Sequence, residues 1–197
     1  DGTLLKIING NTKTAIGVLP TKAEIIRIGL DIKNTDNVNL FQGTAQCTNI
    51  QPSTADIVIC NGVLMYVDNA EIDLALKEMA RITKKGGKVF LGEIPSIDEY
   101  KHKEFGSSIL LWLTWTLRHQ GFNAFSSRLK QTVTAMISNE PLVVAPKSHF
   151  FSEPAQFIER AKKNSLRAEK YFRHIELNDS REPIINNNRW NYIFIKD

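Results

Sequence analysis

The sequence predicts an α/β fold in which a mostly parallel sheet carries helices on both faces. The main evidence is a segment of strand, helix and strand that runs from Ala55 to Ser96. Ala55–Cys60 and Lys88–Ile94 are nearly continuous apolar runs, as is typical of strands buried on both faces of a parallel sheet. Between them, apolar residues recur at helical spacing, at Ile72, Leu76, Met79 and Ala80. We therefore expect a βαβ unit with a right-handed crossover.

Length and composition predict a single domain over residues 1–197. A chain of 197 residues with 42% hydrophobic and 23% charged residues can bury one full core. The net charge of +4 is mild, and Lys and Arg never occur more than two in a row. This pattern favours a solvated basic surface over a nucleic-acid partner.

The cysteines and the hydropathy of the sequence predict the redox compartment and the relation to membranes. Cys47 and Cys60 lack the spacing of a metal site, which indicates a reducing cytoplasm and argues against a disulfide scaffold or a zinc site. The longest apolar stretch, Ile109–Leu117, is far shorter than the roughly 20 residues of a membrane span. We expect a cytoplasmic protein with no bound metal and no membrane span.

Elements of the amino-terminal part can be assigned from apolar runs and their boundaries. They are a helix through Leu4 and Ile8, a strand over Thr14–Leu19, a helix that begins at Pro20 and Thr21, and a strand over Val38–Phe41. Because ligands of such sheets bind beyond the carboxyl ends of the strands, Cys60–Tyr66 and Glu93–Asp98 should border one cleft.

The helix of the βαβ unit has predicted signals at both ends. Asp68 stands at the N-cap position, and Glu71 follows three residues later as in a capping box. Gly86 can adopt the left-handed conformation that ends a helix, and Gly87 then opens the next strand.

The carboxyl-terminal part predicts one more helix and an antiparallel strand pair. Ser152 can cap the helix, with Pro154 in its first turn. Leu166–Leu177 and Trp190–Lys196 are predicted as strands, the second because its residues alternate with period two. The polar segment 178–189 between them is expected to be a solvated loop.

Two segments resemble the class I S-adenosylmethionine-dependent methyltransferases. ADIVICNGVLMYV and LKEMARITKKGGKVFLGE are similar, in order and spacing, to the fourth-strand to fifth-strand region of that family. The opening DGTLL resembles the tail of the family's glycine-rich loop. The resemblance implies a Rossmann-like sheet, S-adenosylmethionine as cofactor, and a first strand upstream of Asp1 that lies between the strands predicted at 14–19 and 55–60.

The resemblance also implies a set of cofactor-binding residues in the opening loop and at three strand ends. They are Asp1, Gly2, Leu19, Pro20, Thr44, Ala45, Cys60, Asn61, Gly62 and Met65. Leu19 stands where the family has a carboxylate that accepts hydrogen bonds from the ribose, and Thr44 stands where it often has an Asp near the adenine. Ribose recognition must then be weaker, be supplied elsewhere or be absent.

Residues 99–147 form an insertion that the sheet does not need. Part of it, SSILLWLTWTLRHQGFNAF, is apolar nearly all round as a helix and must be covered. The resemblance implies a helical lid over the acceptor site. A core helix or a homodimer face over residues 105–125 is an equal alternative, and a membrane-surface helix is disfavoured.

The expected function is S-adenosylmethionine-dependent methyl transfer to a small molecule, such as a sugar or metabolite hydroxyl. A hydroxyl acceptor needs a general base, and His149 and Glu93 are favoured over His102 and Tyr66. The alternative is a methyltransferase-like binding or scaffold protein without activity, which Leu19 and Thr44 favour. A nucleotide-dependent oxidoreductase is disfavoured because no G-x-G-x-x-G motif is visible.

Overall fold

The computed structural model describes residues 3–9, 11–32, 37–96, 150, 152–177 and 181–197, and seven helical residues between 114 and 129. The elements in chain order are α1 (Thr3–Asn9), β1 (Ala15–Leu19), α2 (Lys22–Asp31), β2 (Val38–Gln42), β3 (Ala55–Asn61), α3 (Ile72–Ile82), β4 (Thr83–Pro95), α4 (Pro154–Lys163), β5 (Leu166–Leu177) and β6 (Pro183–Lys196). No helix within these ranges is long and apolar enough to cross a membrane.

The strands confirm the predicted α/β class but form a mixed arrangement. Within the described residues they make two sheets, in the orders β1-β2 and β3-β4-β6-β5. The pairs β1–β2 and β3–β4 are parallel, whereas β6 is antiparallel to both of its neighbours. The predicted antiparallel pair of β5 and β6 is present, and β6 is also antiparallel to β4. The sheet is therefore mixed, and the finer prediction of a mostly parallel sheet is not confirmed.

Two strand edges remain open between the sheets. Among the described residues, β1 pairs only with β2, and the first strand of the larger sheet, β3, pairs only with β4. The side chains of Leu5 in α1 and Leu40 in β2 both lie next to Gly17 of β1, on the same face of the smaller sheet. The Leu40 side chain also lies near Gly29 of α2. Helices α1 and α2 thus cover one face. Under the right-handed crossover rule, a strand preceding α1 would lie at the open edge of β1, opposite β2.

The hydrophobic core lies between the larger sheet and the helices α3 and α4. Phe157 of α4 is fully buried, and its ring lies 4.8 Å from Tyr192, 5.6 Å from Phe150 and 6.1 Å from Phe194, between centroids. The core also includes Ile72, Ala75, Leu76, Met79, Val89, Leu91, Ile94, Ala161 and Leu166. The helical periodicity in the sequence therefore identified the buried face of α3.

Strand β3 is buried on one face only. Cys60 belongs to the core and Val58 packs against it. Ile57 and Ile59, which alternate with them and so point to the other face, are 63% and 38% exposed. The expectation that this strand is buried on both faces is wrong within the described residues, since none of their helices covers that face at Ile57.

Both predicted ends of α3 differ from the structure. A 3-10 turn, Asn69–Glu71, precedes the helix, and Asp68 makes no side-chain capping hydrogen bond. Glu71 instead accepts a hydrogen bond from Gln46 Nε2 at 3.1 Å. The helix ends at Ile82, because Thr83 is already extended and pairs with Ala55 of β3. Gly86 does have a positive φ of 75°, but it lies within β4.

The carboxyl-terminal elements match the prediction with two changes. Helix α4 has Glu153, not Ser152, at its N-cap, and Pro154 in the first turn as predicted. Strand β6 begins at Pro183, so most of the predicted loop 178–189 is strand. The predicted lid and dimer face fall almost entirely outside the described residues. The seven residues described there are helical.

Candidate functional site

The carboxyl ends of β1 and β2 are tied together. The Gly43 N–H donates to the Leu19 carbonyl at 2.9 Å, and Gln42 Nε2 donates to the Pro20 carbonyl at 3.2 Å. Parallel strands end at the same edge of a sheet, which is the edge where ligands bind in open α/β folds. The predicted cofactor residues Leu19 and Pro20 therefore lie beside the turn that follows β2.

The turn after β2 is closed by reciprocal hydrogen bonds. Thr44 N–H donates to the Cys47 carbonyl at 2.9 Å, and Cys47 N–H donates to the Thr44 carbonyl at 3.2 Å. A Cβ at Gly43 would lie 2.7 Å from the Cys47 carbonyl oxygen, so the turn requires glycine there. Thr44 is exposed, while Ala45 packs against the core cluster that contains Cys60.

A buried carboxylate anchors the loop that follows this turn to α3. Glu78 Oε1 accepts hydrogen bonds from Thr48 N–H at 2.8 Å and Thr48 Oγ1 at 2.6 Å. Arg81 donates to Glu78 Oε2 at 2.6 Å and to the Ile50 carbonyl at 2.7 Å. The hydrogen bonds from Arg81 are the main reason why the pKa of Glu78 falls to about 2. The backbone that follows the turn after β2 is therefore held in place by charge-assisted hydrogen bonds.

Replacement of Glu78 with glutamine should destabilise the protein in a pH-dependent way. The folded-state pKa of about 2 lies below the ordinary value of 4.5, so the stabilisation is complete above about pH 4.5 and is lost as the pH falls towards 2. We expect E78Q to lower the unfolding free energy at pH 7 by roughly 2–3 kcal/mol, measured by urea denaturation.

The difference in unfolding free energy between E78Q and the natural chain should become smaller as the pH falls from about 4.5 to 2.5. Asp73→Asn is a matched control, because Asp73 pairs with Arg160 at 2.9 Å but its side chain is 55% exposed. We expect a change below about 1 kcal/mol for this variant at pH 7. An E78Q deficit that did not vary with pH would contradict the assignment.

The end of β3 places a short polar segment at the sheet edge. Asn61 is exposed. Gly62 has a φ of 66°, and its N–H donates to the Gly92 carbonyl at 3.1 Å. The preceding Cys60 is buried, and burial raises the pKa of its thiol to about 12. Met65, in the 3-10 turn Leu64–Tyr66, is 3% exposed. Any contact of Cys60 and Met65 with a ligand must therefore come mainly from the backbone, whereas Asn61 offers its side chain.

Glu93, near the end of β4, links the end of β3 to the middle of β6. Its carboxylate accepts a hydrogen bond from Asn61 Nδ2 at 2.8 Å and another from Arg189 Nη1 at 2.5 Å. Its backbone N–H donates to Asn191 Oδ1 at 3.0 Å. The sequence analysis missed Arg189 and Asn191, although the period-two alternation that identified β6 could have been followed back to them.

The other predicted site residues lie outside this cluster. Asp1, Gly2, His102 and His149 fall outside the described residues. Tyr66 is 47% exposed in the turn after β3. Across the described ranges, no group of three or more His, Cys, Asp or Glu side chains could hold a metal ion.

Comparison with protein families finds one match in the amino-terminal part of the chain. Residues 1–91 match the family model described as a methyltransferase domain. This match covers a little under half of the 197-residue chain and marks its amino-terminal part as similar to a methyltransferase domain. Together with the SAM-dependent methyltransferases among the solved structures below, the match implies S-adenosylmethionine as the cofactor. No curated protein matches the chain.

Solved structures of low sequence identity share the fold of this chain. The YcgJ protein of Bacillus subtilis is 14% identical, with a TM-score of 0.59 over 100% of this chain and 88% of its own. A SAM-dependent methyltransferase of Methanosarcina mazei is 11% identical, with a TM-score of 0.59 over 98% and 86%. A SAM-dependent methyltransferase of Thermotoga maritima is 17% identical, with a TM-score of 0.53 over 98% and 77%. At these identities the likeness shows the fold, which is Rossmann-like.

Proposed function

We propose that this methyltransferase acts on a small molecule, such as a sugar or metabolite hydroxyl. The observation that carries the proposal is that the ends of β1 and β2 are tied together and that the turn after β2 packs against the core of the larger sheet. The Leu19–Gly43 hydrogen bond joins the first two ends, and Ala45 packs against the core cluster that holds Cys60. Exposed Thr44, which follows Gly43, and exposed Asn61, which precedes Gly62, then offer polar groups at these strand ends.

The described residues fit the cofactor in their backbone but lack one expected group. Half-buried Leu19 ends β1 and can accept no hydrogen bond from ribose hydroxyls. When bound, the cofactor supplies a methyl group on a positively charged sulfur. The residues of the chain bind and orient the reactants, and positioning of this kind is worth up to ~7–11 kcal/mol of the barrier.

The general base of the proposed reaction stays a prediction. His149 lies outside the described residues, and both carboxylate oxygens of Glu93 already accept hydrogen bonds, from Asn61 and Arg189. A base must be within reach of the proton that it removes. Because each carboxylate oxygen has a second acceptor position, Glu93 and His149 both stay proposed for this role.

Two further parts of the proposal concern the surroundings of the site. Residues 99–147 are proposed as a lid over the acceptor, with a homodimer face over 105–125 as the alternative. Phe122 is 71% exposed, and an exposed aromatic side chain in this segment supports its contact with a ligand or with a second subunit. A cytoplasmic location is proposed because Cys47 and Cys60 are both free thiols.

Titration calorimetry with S-adenosylhomocysteine tests the proposed function. We expect micromolar binding by the natural chain and a roughly 10- to 100-fold gain for Leu19→Asp, because a carboxylate could accept charge-assisted hydrogen bonds from the ribose. Leu19→Asn is the control, since its neutral amide should give a smaller gain. Acceptors are then screened by transfer of a labelled methyl group from S-adenosylmethionine to sugars and other hydroxyl metabolites.

The second candidate function is a binding or scaffold protein without activity, and Leu19 is the observation that favours it. This alternative predicts that neither the natural chain nor Leu19→Asp binds S-adenosylhomocysteine. Binding without transfer to any tested acceptor would leave the small-molecule acceptor unsupported, while binding with transfer would exclude the scaffold.

A further inference from the structure

The carboxylate of Glu93 bridges residues that are far apart in the sequence. Asn61 ends β3, and Arg189 lies in β6, 96 positions after Glu93. Arg189 and Glu93 are both largely buried, with side-chain exposures of 24% and 23%. Such a short, partly shielded pair of unlike charges is stronger than an exposed one. Glu93 is therefore held in one orientation at the edge where the site lies.

The backbone at Glu93 is adapted to this orientation. Glu93 has a φ of 60°, which is uncommon for a residue with a side chain, and it lies where the pairing of β4 with β6 shifts between Leu91 and Ile94. Bulges of this kind redirect a side chain next to functional sites, at a cost of about 1 kcal/mol for a left-handed residue. The hydrogen bond from the Glu93 N–H to Asn191 stabilises the distorted backbone.

Glu93 determines which way the amide of Asn61 faces. An ionised carboxylate only accepts hydrogen bonds, so the amide nitrogen of Asn61 must face Glu93 and its oxygen must face away. That oxygen lies against Gly92, where a Cβ would approach it to 1.9 Å. Gly92 has no side chain, so it leaves room for the Asn61 amide oxygen in this position. The Asn61 side chain itself is exposed.

We propose that Glu93 is a positioning residue that fixes the Asn61 amide so that its carbonyl oxygen accepts a hydrogen bond from a donor group of the bound cofactor. This inference rests on the proposed function, since it requires that the cofactor binds at the end of β3. It gives Glu93 a role that does not involve proton transfer. Arg189 neutralises the carboxylate and keeps it from turning towards the ligand.

An exchange of carboxylate and amide tests the inference. In Glu93→Gln, Arg189 can only donate and so requires the Gln oxygen, which leaves the Gln amide nitrogen facing Asn61. The Asn61 amide must then turn over and present N–H groups where its oxygen was. We expect S-adenosylhomocysteine to bind E93Q about 10- to 100-fold more weakly in calorimetry, because a ligand donor then meets another donor.

The double variant E93Q/N61D should recover the binding. Its new carboxylate accepts from the Gln amide with one oxygen and offers the other to the ligand, while the total charge is that of the natural chain. N61D alone should bind weakly, because two carboxylates then face each other. Glu169→Gln is a matched control, since Glu169 pairs with Lys88 at 2.7 Å on partly exposed side chains, and it should bind as the natural chain does.

The outcomes separate the inference from the proposed function. If the natural chain does not bind S-adenosylhomocysteine, both fail. If it binds and E93Q binds equally well, only the inference is overturned. Weak binding by E93Q with no recovery in E93Q/N61D also overturns it, because a merely structural loss would not be repaired by the exchange. Melting temperatures of all variants are measured alongside, and recovery of binding at a similar melting temperature supports the inference.

Discussion

Replacement of Phe157 with alanine is expected to lower the free energy of unfolding by roughly 3–5 kcal/mol, which is a large part of the stability of a domain. Phe157 is fully buried, and its ring contacts Phe150, Tyr192 and Phe194. These rings join α4 to β6, so the cavity cannot close without displacing the helix. Edge-on aromatic contacts add to the loss from area alone.

Urea denaturation gives the measurement, as a fall in the midpoint with little change in slope. Leu74→Ala is the control, since Leu74 lies on the outer side of α3 and is 55% exposed. We expect this control to change the unfolding free energy by less than about 0.5 kcal/mol. A similar loss for the two variants would mean that α4 does not pack as described.

A chain extended upstream of Asp1 by a strand-forming segment is expected to be more stable by several kcal/mol. Among the described residues, the free edges of β1 and β3 carry unpaired backbone groups on otherwise apolar strands. A parallel strand that enters α1 by a right-handed crossover would pair with β1 and reach the edge of β3. Each backbone hydrogen bond gained contributes on the order of 1 kcal/mol.

The extension can be tested with eight residues rich in valine and isoleucine, joined directly to Asp1. Its control is an extension of equal length with proline at alternate positions, which cannot donate the same hydrogen bonds. Urea midpoints and light scattering are compared for the three chains. Equal stabilisation by both extensions would show that hydrophobic contact, and not strand pairing, is responsible.

Secondary structure along most of the chain could be predicted because its signals are local. The apolar run at Ala55–Cys60 predicted β3 to within one residue, and the helical spacing from Ile72 predicted the buried face of α3. Thr21 caps α2 through its hydroxyl, as the Pro20-Thr21 boundary suggested. The end of α3 was predicted too late because Thr83 pairs with Ala55, a contact 28 positions away in the sequence.

The site was predicted in part. The ends of β1, β2 and β3 follow from strand assignment, and two of them meet through Leu19 and Gly43. Asn61 and Glu93 were both identified, but as separate contributors to binding and to catalysis. Their hydrogen bond, and the pairing of Glu93 with Arg189, depend on the register of three strands.

The sequence by itself determined the α/β class and most strand and helix positions, because each depends on periodicity and spacing within short segments. The resemblance of two segments to known methyltransferases added the expected family and cofactor. Only the tertiary structure decided that one face of β3 is exposed among the described residues and that Glu93 accepts hydrogen bonds from Asn61 and Arg189. The physical reason is that burial and side-chain partners are set by packing between distant segments, and a hydrogen bond across 96 positions leaves no local pattern.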